Sequence, residues 1–134
     1  MIHVIPTFNQ SDLESRLAAL DAQGLDAQGL DALDFGVIGF DNETVVRRYN
    51  EFESKAAGLS PHRVLGQLLF TVVAPCMNNF LVAQRFEDAF ESGAVLDATI
   101  DYVLTWRMRP IKVALRLLAA PGAATRYVLV NRTS

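Results

Sequence analysis

Hydrophobic and polar positions alternate most clearly in the last third of the chain. Val113, Leu115 and Leu117 are interleaved with Lys112, Ala114 and Arg116. That is the period of a strand with one buried face. Val95 to about Arg107 is one long strand-like run, Met108 to Pro110 a turn, and Ile111 to Ala119 the next strand. Pro121 and Gly122 signal another turn, and Arg126 to Arg132 a last strand. Earlier, Phe35 to Phe40 is an apolar run of strand length, Asp41 to Glu43 a turn signal, and Thr44 to Tyr49 a second strand. The tight spacing predicts a hairpin.

Between these runs the spacing is helical. Ser11 and Glu14 form a capping box ahead of Leu13, Leu17 and Leu20, which predicts a short helix over residues 11–20. Residues 50–58 predict a brief helix stopped by Gly58. Ser60 reads as an N-cap with Pro61 at the first helical position, and that helix should end at Gly66. Asn78 or Asn79 could cap a longer helix. Phe80, Ala83, Phe86, Ala89 and Phe90 then share one face, and Gly93 stops it. The order predicts an α+β domain with an antiparallel sheet of about five strands. Residues 1–34 read as an N-terminal helical cap and linker, and 35–134 as the core of one structural domain. Within the linker, Leu20 to Gly24 recurs as Leu25 to Gly29, and Leu30 begins a third copy. Units of five residues are too short for a solenoid, which repeats every ~20–45, so the repeat reads as a duplicated surface loop.

Composition narrows the classes. A length of 134 residues suits one domain, and 51% hydrophobic with 20% charged residues excludes a disordered chain. Twelve basic against fifteen acidic residues, a net charge of -3, argue against nucleic acid as the partner. One cysteine excludes an internal disulfide and a cysteine-based zinc cluster. The longest apolar stretch, Leu65 to Met77, is broken by Gln67 and Pro75. No membrane span and no secretory signal are expected, and a cytoplasmic setting follows.

Two constellations could carry chemistry. Cys76 follows Pro75 at the end of an apolar segment, just before the expected helix. Helix-terminal amides there would favour the thiolate; the competing reading is a small buried hydrophobe. Tyr49 and Glu53 are four residues apart where a strand passes into a helix, which puts both on one face. A phenol and a carboxyl so placed can both donate to one acceptor if the carboxyl is protonated, as burial favours. The competing reading is a surface glutamate beside a strand-end tyrosine. His3 and His62 have no metal-ligand spacing, and a Cys76–His62 couple has no support in spacing. Gly36 and Gly39 sit in a strand and form no phosphate loop. Trp106, at a strand end, is core, rim or the wall of a ligand pocket.

In combination these pieces resemble the photoactive yellow protein family, blue-light receptors with a PAS fold. The resemblance covers nearly the whole chain. It is carried by Leu33 to Ile38, Tyr49 and Asn50 with Glu53, Gly58 with Pro61 and Val64 to Gly66, Val73 to Cys76, and Met108 with Pro110 to Val113. It implies that Cys76 carries 4-hydroxycinnamic acid (p-coumaric acid) as a thioester. Tyr49 and a neutral Glu53 would hydrogen-bond its phenolate oxygen, with Ala57, Leu59, Trp106 and Met108 around it. Light would isomerise the cinnamoyl double bond. Glu53 would then pass on its proton, and the resulting buried charge would loosen the fold at the N-terminal helix. The partner implied is a downstream signalling protein, and the state a monomer or weak homodimer. Counted from Tyr49, the family's threonine becomes Ala57 and its pocket arginine Leu59, which predicts altered colour or photocycle rate. Two other roles fit the same fold: a PAS module that binds a small ligand or partner without pigment, and an enzyme using Cys76 as nucleophile.

Overall fold

A computed structural model describes residues 35–106 and 109–132. The helix expected over 11–20, the five-residue repeat and Met108 lie outside the described residues. Five strands, β1 (Gly36–Phe40), β2 (Val46–Tyr49), β3 (Leu96–Trp106), β4 (Arg109–Ala119) and β5 (Arg126–Asn131), form one antiparallel sheet in the order β2-β1-β5-β4-β3. The first and last strands in sequence are therefore neighbours. Gly36 pairs with Val130 and Ile38 with Val128. The alternation read in the sequence places Val113, Leu115 and Leu117 in the core. Arg109 and Pro110, expected in the turn, already belong to β4, opposite Trp106 and Thr105. Between β1 and β2, the Asp41 carboxylate accepts from the amides of Glu43 and Val45 and shapes the turn.

The segment between β2 and β3 covers one sheet face. It contains α1 (Glu51–Ala57), α2 (Pro61–Val64), a π-turn at Leu69–Val73, a 3-10 turn at Pro75–Met77, and α3 (Ala83–Ser92). Gly58 and Gly93 end α1 and α3 in the left-handed region, at φ 73° and 66°. This conformation is open to glycine at little cost. Ile38, Phe40, Leu69, Phe70, Val82 and Phe86 pack between these elements and the sheet.

The third helix is shorter than its apolar spacing predicts. It begins at Ala83, because the Asn79 side chain accepts from the amides of Leu81 and Val82 and holds a separate turn ahead of it. Phe80, outside the helix, is consequently left 83% exposed; within it Phe90 is 57% exposed, while Phe86 and Ala89 are buried as expected.

Candidate functional site

Asn50 fixes the first part of the site. It ends β2 and caps α1, and it is almost fully buried. Its Oδ1 accepts from the amides of Glu53 and Val37, and its Nδ2 donates to the carbonyl of Phe35. The cap thus ties α1 to β1 and points the first turn of the helix across the sheet. Tyr49 and Glu53, on either side of this clamp, are both buried.

Glu53 meets a residue that nothing in the spacing singled out. Arg132 follows directly on β5, and its guanidinium holds the Glu53 carboxylate in a fork. Nη1 donates to Oε1 at 2.6 Å and Nη2 to Oε2 at 2.9 Å. Both partners are largely shielded from solvent. A planar guanidinium and a carboxylate match in this bidentate geometry, which is stronger than a single charged hydrogen bond. The expectation of a protonated, donating Glu53 meets a different arrangement: the carboxyl accepts on both oxygens. Gly36 leaves the room for it. A methyl group there would collide with Glu53 Oε1 and press on Val130.

Cys76 sits in the middle of the 3-10 turn. Ala74, ahead of proline, leaves the helical region at φ -137° and ψ 68°, as the proline ring requires. The Cys76 carbonyl accepts from the Tyr102 hydroxyl and from Asn79 Nδ2, and Asn79 also donates to the Tyr102 oxygen at 2.6 Å. Strand β3 therefore anchors the backbone of the turn and leaves the thiol out of that network.

The expected thiolate-favouring helix end is absent at this position. Cys76 lies inside a three-residue turn, and residues 78–82 separate that turn from α3 at Ala83. Burial instead pushes the thiol pKa up, and hydrogen bonds from the backbone of Thr105 and of Cys76 itself offset this only in part. A raised thiol pKa means less thiolate at neutral pH. Acylation of Cys76 by an activated thioester should therefore keep accelerating as pH rises through the ordinary thiol range and beyond. Stopped-flow rates that level off at or below neutral pH would contradict this.

Tyr49, Glu53, Ala57, Leu59 and Cys76 come together around one cavity, with Arg132 among them. Ile38, Val73, Leu104 and Ile111 complete apolar walls. The cavity holds about 30 Å³ open to the centre of a water molecule. Cys76 also borders a wider outer groove of about 760 Å³ beside Asn79, Tyr102 and Thr105. The sulfur-bearing residue thus stands between the interior and an open approach. Burial pushes the Tyr49 phenol far above its usual range, the Glu53 charge adds to this, and Arg132 opposes it. Tyr49 is accordingly a hydroxyl donor at any physiological pH. Trp106 is the last residue of β3, its backbone paired with Arg109. His62 is exposed on α2, away from the cavity that holds Cys76.

Arg132 carries no local sequence signal. It is one arginine after the final strand, and only the pairing of β5 with β1 brings it over α1. The contact between Asn79 and Tyr102 has no local signal either, its partners being 23 residues apart in sequence.

No protein-family model matches the chain. Two curated relatives are similar along almost its whole length. The photoactive yellow protein of Rhodothalassium salexigens is 32% identical over 126 residues, covering 93% of this chain and 95% of the relative. That of Halochromatium salexigens is 30% identical over 125 residues, covering 93% and 95%. Among solved structures, the photoactive yellow protein domain of the sensor histidine kinase Ppr from Rhodospirillum centenum superposes with a TM-score of 0.76 at 37% identity, covering 85% of this chain and 97% of that domain. The PAS domain of the quorum-sensing receptor RpfR from Cronobacter turicensis, solved with BDSF, gives 0.59 at 14% identity, covering 76% and 96%. This second likeness bears on the PAS fold alone.

Proposed function

The chain belongs to the photoactive yellow protein family, as a PAS-fold photoreceptor domain, and from that premise we propose that Cys76 carries a 4-hydroxycinnamoyl group as a thioester. The observation that supports this most is the shared cavity: the thiol-bearing turn, the Tyr49 hydroxyl and the Glu53–Arg132 pair wall the same space.

The residues present fit such a group by their chemistry. An acylating sulfur needs an approach from outside, and Cys76 borders the open groove. A phenolate in an apolar pocket needs donors. Tyr49 supplies a hydroxyl whose proton is firmly held, and Arg132 supplies charge. The inner volume requires the walls to part for an aromatic acyl chain. Those walls include α1 of seven residues, the five-residue π-turn and the three-residue 3-10 turn. Short elements of this kind yield at lower cost than the long strands β3 and β4.

In acylation the Cys76 sulfur displaces the activating group from the acyl carbon, and the thiol proton leaves with the departing group. When bound, the acyl group supplies visible absorption and a double bond that light isomerises. Asn50 holds the start of α1, so that Tyr49 and Glu53 keep their places. Ala57 and Leu59, where the family pattern has a threonine and an arginine, add only apolar surface.

The signal passes to a partner protein; the similar domain from Rhodospirillum centenum is part of a sensor histidine kinase. Among the described residues no helix is long and apolar enough to cross a membrane.

Blue light tests the reading. The loaded chain should lose its visible band after a flash and regain it in the dark. A band that ignores blue light would contradict a receptor role.

A further inference from the structure

Among the described residues the cavity contains one permanent cation, Arg132. Among the described residues, its titratable side chains are Tyr49, Glu53, Cys76 and Arg132. Burial keeps the phenol and the thiol in their neutral forms. Glu53 and Arg132 therefore carry the only opposed charges there, and they balance at 2.6 and 2.9 Å. The guanidinium is not exhausted by this pair. Its Nε is buried and has no hydrogen-bond partner among the described residues. Its position is set by the sheet, since Arg132 follows the β5 strand that pairs residue for residue with β1.

We propose that Arg132 is the counter-charge of the pocket and the positioning residue for Glu53, so that the pocket holds one negative charge at a time. This rests on the function proposed above. With one cation among apolar walls, a second buried anion has no compensation and is strongly unfavourable. A phenol entering the pocket can ionise only by giving its proton to Glu53. Arg132 then faces one anion before and after, and no proton enters or leaves the pocket. Its free Nε–H is a spare donor for that exchange.

The test uses Arg132→Met, which keeps length and removes charge, and Arg132→Lys, which keeps charge and loses the fork. In the ligand-free chain, infrared difference spectra against Glu53→Gln isolate the Glu53 carboxyl. The parent and Arg132→Lys should show carboxylate bands at neutral pH, and Arg132→Met a protonated carbonyl band. Carboxylate bands in Arg132→Met would overturn the proposal. In the loaded chain, the pH midpoint of the visible band should rise by at least about one pH unit, a tenfold lower proton concentration, in Arg132→Met. A second pair, Glu53→Gln alone and with Arg132→Met, removes the carboxylate from both members, and the double variant leaves neither charge of the ion pair behind. Its midpoints should differ in the same direction and by the same amount; equal midpoints would overturn the proposal. If the native chain takes up no acyl group, the function proposed above fails, while the infrared comparison still decides whether Arg132 governs Glu53.

Discussion

Cys76→Ser should leave the chain folded and unable to take up any pigment covalently. The chemistry is all-or-none. A thiol is partly ionised in the mildly alkaline range and is a strong nucleophile as thiolate, whereas a serine hydroxyl without an adjacent base is inert toward thioesters. No histidine lines the cavity to act as that base among the described residues. The fold should tolerate the change. The turn is held through the Cys76 carbonyl by Tyr102 and Asn79, and these bonds do not involve the sulfur. Exchange of a half-buried thiol for a hydroxyl should cost no more than about 1–3 kcal/mol if the hydroxyl finds no partner. Intact mass and thermal unfolding together check both halves. An acyl group retained on Cys76→Ser would show that attachment lies elsewhere.

Gly36→Ala should have the largest effect on stability of any single methyl group added near the site. The new methyl would occupy the place of Glu53 Oε1 and crowd Glu53 Cδ and Val130 Cβ. The far end of the glutamate could swing away, but only by leaving the fork of Arg132. Asn50 restrains the other end, because its side chain bonds the Glu53 amide. Breaking a buried ion pair while both charges stay inside costs about 3–5 kcal/mol. Urea unfolding should show a loss of that size. A loss below about 1 kcal/mol would mean that the pair contributes little to holding α1 against the sheet. The same substitution in Glu53→Gln should cost less, because the ion pair is already lost in that background and the methyl group breaks no further charged contact.

The sheet was legible because its signals are local. The alternation around Val113, the glycines that end α1 and α3, and the turn residues at Asp41 and Pro121 each report on a few neighbouring positions. Tyr49 and Glu53 were legible as a pair for the same reason. What could not be read depends on distant contacts. The partner of Glu53 lies 79 residues away and is chosen by strand order. The start of α3 was misjudged because the Asn79 side chain closes a turn of its own and leaves Phe80 outside the helix. The Cys76 thiol shifts up rather than down because no α-helix starts directly behind it and burial dominates. Each miss is a case of tertiary context overriding a local rule.

The departures at Ala57 and Leu59 gain a physical meaning beside Arg132. Neither side chain offers a hydrogen-bond donor, so among the described residues the charge and hydroxyl of the cavity come from Tyr49, Glu53 and a cation carried by the opposite end of the chain.

The central claim is that Cys76 and the Tyr49–Glu53 pair form one pigment site, and the most direct measurement is intact mass with an absorption spectrum after mixing the purified chain with activated 4-hydroxycinnamic acid. The account predicts a yellow product heavier by one cinnamoyl group, with its visible band displaced in Glu53→Gln. A colourless chain of unchanged mass, with Cys76 still reactive toward a small thiol reagent, would contradict it.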